Sequence, residues 1–406
     1  MSKTPLFIKI ARPTYGKWLN WYHRVKTAGY GQLPESGPYL ILANHTHSYD
    51  PFFISSSLKV HVRWVAGAYL FKNQLIKLLL GRWVGGIAKQ QGRSDLQTIR
   101  DISSAFKQNE IVGLFPEGTR TWDGEPLGFD VATAKLVRIF NVPVVLMHIE
   151  GGYAQRPRWA KYSRKGEITL RVVRVVYPDE LRRMKVGELH DLLTNTLGFS
   201  HRRWQAEHRI PYVSDHLSEG LEKVLYLCPS CGGKSTITTE GDRIVCTNCS
   251  LKGKLNPYDE LEPVSADFPA LDSIHAWHEW EQSELVGIAR ETAGGTPLFP
   301  ADEGVLLQKG EGKRLVTWSK RFTLTLESDR MVATGKFAGA GTLVFAFKDI
   351  QSMIVNAKST VEFYHGDTLW RIRVIGTRSI LKYVELYGAL KAMGNYEEDQ
   401  KEVPAT

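Results

Sequence analysis

Residues 39–50 read YLILANHTHSYD and join an apolar run to a polar turn. The run over residues 39–43 is typical of a strand buried on both faces of a parallel sheet. His45 follows it directly, so we expect this side chain at the C-terminal end of the strand, where ligand sites of open α/β sheets gather. Asp50 precedes Pro51, a pair that favours a helix start. The chain should therefore turn between His45 and Asp50 and bring the carboxylate back towards the imidazole.

Three further apolar or alternating runs follow along the chain, at residues 111–115, 142–147 and 167–176. Helical patterns lie between the runs, and the clearest begins at Ser94. Alternating strands and helices over residues 36–220 predict an α/β domain.

The length of 406 residues predicts two or three domains, and 43% apolar against 23% charged residues indicates a folded chain. The longest stretch without Asp, Glu, Lys or Arg has 14 residues, at 36–49. A bilayer-spanning helix needs about 20 mostly apolar residues, so none is expected. We also expect no secretory signal, since no apolar core precedes a small-residue cleavage site.

Basic residues are concentrated at the start of the chain, where residues 1–34 contain six Lys or Arg and no acid. The net charge of +9 points to an anionic partner, either nucleic acid or a lipid surface. Aromatic residues interleave with the bases, as in helices that lie in a membrane interface. We therefore predict interfacial helices over residues 1–30; helices packed on their own domain are the alternative.

A second motif, Phe115-Pro-Glu-Gly-Thr-Arg120, follows another apolar run and should reach the same sheet edge as His45. Glycine allows close backbone approach to a ligand, and Arg120 offers a planar fork for phosphate. A histidine–aspartate pair beside an arginine suggests a hydroxyl substrate that carries a phosphate. Two unrelated loop sequences are the alternative.

The two motifs, in this order and about 70 residues apart, resemble those of the glycerolipid acyltransferases, whose best-known members are the lysophosphatidic acid acyltransferases. The resemblance covers residues 30–190. It implies transfer of a fatty acyl group from acyl-CoA or acyl carrier protein to the hydroxyl of 1-acyl-sn-glycerol-3-phosphate, giving phosphatidic acid. Another lysophospholipid, or glycerol phosphate, remains open as the acceptor.

The resemblance also implies roles for single residues. His45 would be the general base and Asp50 would orient it, with the substrate alcohol in the place of a protease serine. The acceptor phosphate would be held by Glu117, Gly118, Thr119 and Arg120. His47 is a second candidate base that we expect to be a loop residue instead.

One family motif differs in this chain. The family shows Gly-x-x-x-x-Arg before a helix, and here Gln91 stands where the arginine is expected. Lys89 and Arg93 are the candidates to replace it. The difference bears on the headgroup of the acceptor more than on the reaction.

Cys228, Cys231, Cys246 and Cys249 have the spacing of two zinc knuckles, with gaps of two, 14 and two residues. This pattern predicts structural zinc held by four thiolates, with two disulfides as the alternative. Four cysteine ligands leave no open position on the metal, so we expect no catalysis there.

The C-terminal part contains short alternating runs and one last helical pattern, an order of elements that resembles a pleckstrin-homology domain. The predicted organisation is interfacial helices at 1–30, an acyltransferase domain at 31–220, a zinc ribbon at 221–256, a linker or irregular segment at 257–310, a β-rich domain at 311–395 and an acidic tail at 396–406.

The expected partners are an anionic membrane surface, a lysophospholipid acceptor and an acyl donor, and nucleic acid is disfavoured. The expected location is the cytoplasmic face of a membrane, with peripheral attachment. A non-catalytic zinc-ribbon adaptor at the membrane is the alternative from a different class.

Overall fold

The computed structural model describes residues 4–68, 78, 81, 84–89, 96–311, 314–337, 340–376 and 378–394. The chain divides into two compact units. The first contains Met1–Leu217 and Asn256–Asp259, and the second contains Ser218–Leu255 and Glu260–Thr406.

The first unit is a mixed α/β structure, as predicted. Its strands are β1 (Val25–Ala28), β2 (Tyr39–Ala43), β3 (Val62–Gly67), β4 (Ile87–Lys89), β5 (Ile111–Leu114), β6 (Val144–Glu150) and β7 (Ile168–Val176). Its described helices are α1 (Leu6–Ala11), α2 (Lys17–Tyr22), α3 (Asp50–Ser57), α4 (Leu96–Lys107), α5 (Ala132–Phe140), α6 (Gly152–Gln155), α7 (Pro178–Arg183), α8 (Val186–Leu197) and α9 (His201–His208). A π-helical turn, Arg12–Gly16, joins α1 to α2.

The strands form one seven-stranded sheet in the order β1-β7-β6-β2-β5-β3-β4. The pairs of β2 with β5, β2 with β6, β3 with β5 and β3 with β4 are all parallel. The carboxyl ends of these five strands therefore meet at one edge. β2 lies in the middle and is buried along its whole length, which explains its unbroken apolar sequence.

The sheet separates two apolar cores. Residues of β2 alternate between them: Ile41 packs into one core with Phe53 and Trp64, and Leu42 packs into the other with Ile102. This packing on both faces positions the loop after β2.

Three short strands, β1, β3 and β4, were not predicted. β1 lies within residues 1–30, where only helices were expected, and it pairs in parallel with β7 at the sheet edge. Four residues are too few to show a clear period, so pairing partners distant in sequence decide this segment. Ser94, the predicted start of α4, lies outside the described residues.

Residues 256–259 return to the first unit after the chain has left it. The backbone N–H of Tyr212 donates to the carbonyl of Pro257 at 2.8 Å. The Asp259 carboxylate pairs with the buried guanidinium of Arg164 and lies 3.1 Å from Nε2 of His201. The short segment is thus held by a backbone hydrogen bond and by the contacts of the Asp259 carboxylate.

The second unit is mainly β, as predicted for the C-terminal part. One antiparallel sheet contains the strands β8 (Ile237–Glu240), β9 (Arg243–Cys246), β10 (Lys252–Leu255) and β11 (Leu261–Pro263). Its strand order is β11-β10-β9-β8. A larger antiparallel sheet contains β12 (Asp302–Glu311), β13 (Arg314–Leu326), β14 (Arg330–Phe337), β15 (Ala340–Ala346), β16 (Ile350–Asn356), β17 (Thr360–His365) and β18 (Thr368–Arg373). Its strand order is β15-β14-β13-β12-β18-β17-β16. Its described helices are α10 (Ile274–Glu291) and α11 (Leu381–Ala392).

The prediction of a linker or irregular segment at 257–310 is wrong for most of that stretch. It contains the 18-residue helix α10 and the strand β12. The hydroxyl of Ser273 caps α10 by accepting from the N–H of Ala276. The helix buries Trp277, whose indole N–H donates to the carbonyl of Leu227 at 2.9 Å. Pro, Gly and acidic residues around the helix obscured its pattern in the sequence.

Among the residues that the structure describes, no helix combines the length and the apolar character needed to cross a bilayer.

Candidate active site

Two loops meet at the carboxyl edge of the sheet, where the sequence predicted a site. One follows β2 and carries His45; the other follows β5 and contains residues 115–120. Because β2 and β5 are adjacent and parallel, the loops start side by side. The backbone N–H of Thr121 donates to the carbonyl of His45 at 3.3 Å and links them.

His45 and Asp50 form the predicted pair. Nδ1 of His45 lies 2.8 Å from Oδ2 of Asp50, whose carboxylate is completely buried. The same oxygen accepts the backbone N–H groups of Thr46 and His47, each at 2.8 Å. An oxygen that already accepts two hydrogen bonds acts as an acceptor towards the imidazole as well, so Nδ1 donates and Nε2 carries the lone pair. The pair therefore presents a proton acceptor on the side of the ring away from Asp50.

The ring of His45 is stacked on that of Phe115, with centroids 4.2 Å apart and planes 16° apart. About a fifth of the His45 side chain is exposed. The imidazole is therefore fixed by Asp50 at one edge and by an aromatic face, while part of it stays open to a substrate.

Glu117 connects the backbone at His45 with that at Leu127. One carboxylate oxygen accepts the N–H of His45 at 3.4 Å, and the other accepts the N–H of Leu127 at 3.2 Å. Burial raises its pKa to about 7, against smaller opposite effects of these two hydrogen bonds. A carboxylate would also repel a phosphate. The side chain therefore braces two loops against each other.

Gly118 and Thr119 form the outer turn of the second loop. Gly118 has a φ of +71°, and a Cβ there would meet open space. Its N–H donates to the carbonyl of Phe115 at 3.1 Å and closes the turn. An exposed glycine turn leaves the backbone accessible to a ligand.

Arg158, which was not identified from the sequence, donates hydrogen bonds to this loop. Only 3% of the residue is exposed. Its Nη1 donates to the hydroxyl of Thr119 at 2.7 Å and to the carbonyl of Arg120 at 3.2 Å. Its guanidinium carbon lies 4.3 Å from the centre of the Trp122 ring. The only signal in the sequence was the excess of nine bases over three acids at 156–183.

Of the two candidates for the missing family arginine, the structure describes Lys89 alone. Lys89 is the exposed last residue of β4, at the same sheet edge but two strands beyond β5. Strands are about 4.8 Å apart, so β4 is about 10 Å from β5. Arg93 lies outside the described residues.

His47 is fully buried and does not share the geometry of His45. Its Nδ1 accepts the N–H of Tyr49 at 3.0 Å, and its ring packs against those of His23 and Phe53. Burial lowers the pKa of His47 well below its ordinary value of 6.5, so the ring is neutral. These contacts fit a residue that shapes the loop.

The four cysteines converge in the second unit. Their sulfurs all lie within 4.8 Å of one another, with 3.7 Å from Cys228 to Cys249 and 3.8 Å from Cys231 to Cys246. A disulfide needs about 2.05 Å, so the thiols are free. A tetrahedral zinc with Zn–S bonds of about 2.3 Å places its sulfurs about 3.8 Å apart. The spacing of this donor set therefore fits such an ion.

Comparisons with known proteins find similarity over part of the chain. Residues 24–150 match the family model described as Acyltransferase. The chain is 23% identical over 186 residues to mouse (Mus musculus) 1-acyl-sn-glycerol-3-phosphate acyltransferase alpha, across 42% of this chain and 63% of the relative. It thus spans less than two thirds of the length of that curated relative.

Two solved structures are similar to parts of the chain. One is the 1-acyl-sn-glycerophosphate acyltransferase PlsC of Thermotoga maritima, with 21% identity, a TM-score of 0.42, and coverage of 49% of this chain and 79% of that one. The other is the N-terminal PH domain of human ARAP2, with 15% identity, a TM-score of 0.19, and coverage of 26% and 92%.

The matched segment contains β2, β5, the His45–Asp50 pair and the loop at 115–120. Residues 24–150 of this chain are therefore similar to the acyltransferase family over the segment that holds both loops.

Proposed function

We propose that this protein is an O-acyltransferase that moves a fatty acyl group from a thioester to the free hydroxyl of 1-acyl-sn-glycerol-3-phosphate. The observation that carries the proposal is the His45–Asp50 pair, 2.8 Å apart beside the loop at 115–120. The name of the mouse relative, at 23% identity, supports the same acceptor.

The chemistry follows from the free nitrogen of His45. An alcohol is a weak nucleophile until a base removes its proton as the bond to carbon forms. Nε2 of His45 takes that proton, the alcohol oxygen bonds to the thioester carbonyl carbon, and the C–S bond breaks. The imidazolium then returns the proton to the leaving thiolate. Asp50 keeps Nδ1 as the donor and stabilises the positive charge on the ring.

The loop at 115–120 would bind the acceptor phosphate. The turn at Gly118 leaves backbone open, and Arg120, two residues on in the sequence, carries a guanidinium suited to phosphate. Arg158 holds both Thr119 and the Arg120 backbone in place. This assigns phosphate binding to Gly118, Thr119 and Arg120, and a bracing role to Glu117. Lys89 and Arg93 remain candidates for contacts farther from the bond that forms.

The N-terminal helices α1 and α2 would bring the enzyme to its lipid substrates. They expose large apolar side chains, including Trp21 at 74% and Leu6 at 73%. The rings of Tyr15, Trp18 and Tyr22 lie in contact along one side, with centroids 5.6 and 5.4 Å apart. Tryptophan and tyrosine prefer headgroup depth, and the acid-free, basic sequence suits an anionic surface. We therefore propose peripheral attachment through this segment.

The four cysteine sulfurs would hold one structural Zn²⁺. Four thiolates close the coordination sphere, so the ion would stabilise the ribbon and take no part in acyl transfer. The zinc site is proposed in addition to acyl transfer and membrane attachment.

The test is an acceptor panel with one acyl-CoA and, in parallel, one acyl carrier protein as donor. Thiol release and radiolabelled product are measured with lysophosphatidic acid, other lysophospholipids and glycerol 3-phosphate. We expect the highest kcat/KM with lysophosphatidic acid and no turnover by His45→Ala. A preference for another acceptor would correct the substrate. Thiol release by His45→Ala equal to that of the wild type would remove the base, and no transfer to any acceptor would favour a non-catalytic adaptor.

A further inference from the structure

Three rings form a stacked column that ends at the proposed base. Behind His45 and Phe115 lies Trp64, whose ring centre is 4.9 Å from that of Phe115 with only 10° between the planes. The rings follow the order of the strands: His45 follows β2, Phe115 follows β5 and Trp64 is in β3. Adjacent strands are about 4.8 Å apart, which is close to the distances between the stacked rings. The sheet itself therefore sets the spacing of the column.

A glycine makes room for the last ring. Gly113 of β5 pairs with Trp64 in the parallel register of β3 and β5. A Cβ on Gly113 would come within 2.5 Å of the Trp64 ring. The indole N–H of Trp64 donates to the hydroxyl of Ser55 at 2.9 Å, which fixes the orientation of the ring. Only glycine at position 113 allows this placement.

We propose that Trp64 and Phe115 are positioning residues for His45. Asp50 fixes the His45 ring at one edge, but a single hydrogen bond leaves rotation about its axis possible. The flat face of Phe115 removes that freedom, and Trp64 keeps Phe115 in place. When His45 accepts the proton, the π-face of Phe115 also stabilises the imidazolium. This inference rests on the proposed function only in naming the reaction that the column assists.

Trp64 does not touch His45, so its variants test transmission through the column. Trp64→Phe and Trp64→Leu both lose the bond to Ser55 and part of the ring volume, but only Phe keeps an aromatic face. We expect Trp64→Leu to lower kcat about tenfold with little change in the acceptor KM, because misplacement of a base slows the proton transfer. Trp64→Phe should recover most of that loss.

Gly113→Ala gives an independent variant with a minimal change in apolar content. The added methyl group must displace the Trp64 ring, so kcat should again fall about tenfold. Gly187→Ala is the matched control, since Gly187 lies in α8 of the same unit with open space at its Cβ position.

Histidine-labelled NMR tests the geometry without any turnover. The His45 ring protons, assigned by their loss in His45→Ala, should show upfield ring-current shifts and NOEs to the Phe115 ring. In Trp64→Leu and Gly113→Ala these shifts should shrink, and in Trp64→Phe and Gly187→Ala they should stay.

The outcomes separate this inference from the proposed function. If the wild type is active and Trp64→Leu matches Trp64→Phe in kcat and in the His45 shifts, the column is not a positioning device. If the wild type transfers no acyl group but the shifts behave as expected, the column stands and the reaction has been assigned wrongly.

Discussion

The guanidinium of Arg158 donates a hydrogen bond to the hydroxyl of Thr119 at 2.7 Å from a position almost sealed from solvent. A second bond from the same nitrogen reaches the carbonyl of Arg120. A buried arginine thus shapes the loop that we propose binds the acceptor phosphate. Binding of the phosphate and the conformation of the loop should therefore depend on a residue outside both sequence motifs.

Arg158→Lys should weaken acceptor binding and leave the chemical step nearly unchanged. Lysine keeps the charge but loses the planar fork that spans two acceptors. We expect the acceptor KM to rise about tenfold with kcat within about twofold, measured by steady-state kinetics. Arg182→Lys, on the exposed surface of α7, is the control. An unchanged KM would show that the loop keeps its shape without the guanidinium fork.

Asp50→Asn should nearly abolish turnover. The amide can offer its NH₂ group to the imidazole, which favours the tautomer with the proton on the wrong nitrogen. We expect kcat to fall by about 10⁴, as for the corresponding change in a serine protease. Circular dichroism checks the fold, and Asp130→Asn in the turn before α5 is the control. A loss smaller than tenfold would mean that Asp50 does not set the tautomer of His45.

Glu117 predicts a pH dependence of stability. Burial raises its pKa from an ordinary value of 4.5 to about 7. Between these values the folded protein holds a proton that the unfolded chain releases, so the stabilising contribution is complete below pH 4.5 and is lost as the pH rises through 7. Glu117→Gln cannot titrate. From pH 5 to 8, the unfolding midpoint of the wild type should therefore fall relative to that of the variant.

That comparison cancels the other titrating groups, which the two proteins share. Thermal unfolding in a series of buffers of equal ionic strength measures the difference. A constant difference between pH 5 and 8 would contradict the raised pKa.

Removal of zinc should unfold the ribbon of the second unit. We expect one equivalent of Zn²⁺ in the purified protein by elemental analysis and its loss in Cys231→Ser. A chelator should make residues 228–249 sensitive to protease, and added Zn²⁺ should reverse this. Ser250→Ala, next to the cluster but outside it, should keep the metal. Full occupancy in Cys231→Ser would exclude a four-cysteine site.

Trp21 provides a test of membrane attachment. Trp21→Ser should lower partitioning onto anionic vesicles about tenfold. The exposed indole of Trp21 would enter the membrane interface, and serine removes that contribution. Leu96→Ser is the matched control, since Leu96 in α4 is also highly exposed, at 68%. Sedimentation with vesicles of phosphatidylcholine and phosphatidylglycerol measures binding. Equal losses in the two variants would show that α2 is not the attachment site.

The central part of the fold and the contact between His45 and Asp50 were predictable because their signals are local. The strand at Tyr39–Ala43 is buried on both faces and reads as one apolar run. Asp50 lies only five residues after His45 in the sequence, and the Asp-Pro pair marks the start of α3.

The supporting residues were not predictable, since their partners are distant in sequence. Arg158 reaches back 39 residues to Thr119. Trp64 fits against Gly113 only because β3 pairs with β5, a register that neither short strand shows alone. Sequence motifs identified the groups proposed to meet the substrate, while sheet pairing determines which groups hold them.

The return of residues 256–259 to the first unit limits how the chain can be cut. A fragment that stopped at residue 220 would lose Asp259 and leave the buried Arg164 cation without its carboxylate, a loss that typically costs several kcal/mol. Any fragment that retains Asp259 must also include the whole cysteine ribbon. Dissecting this protein by truncation would therefore misreport the first unit as unstable, and point substitutions in the intact chain are the sounder way to assign its parts.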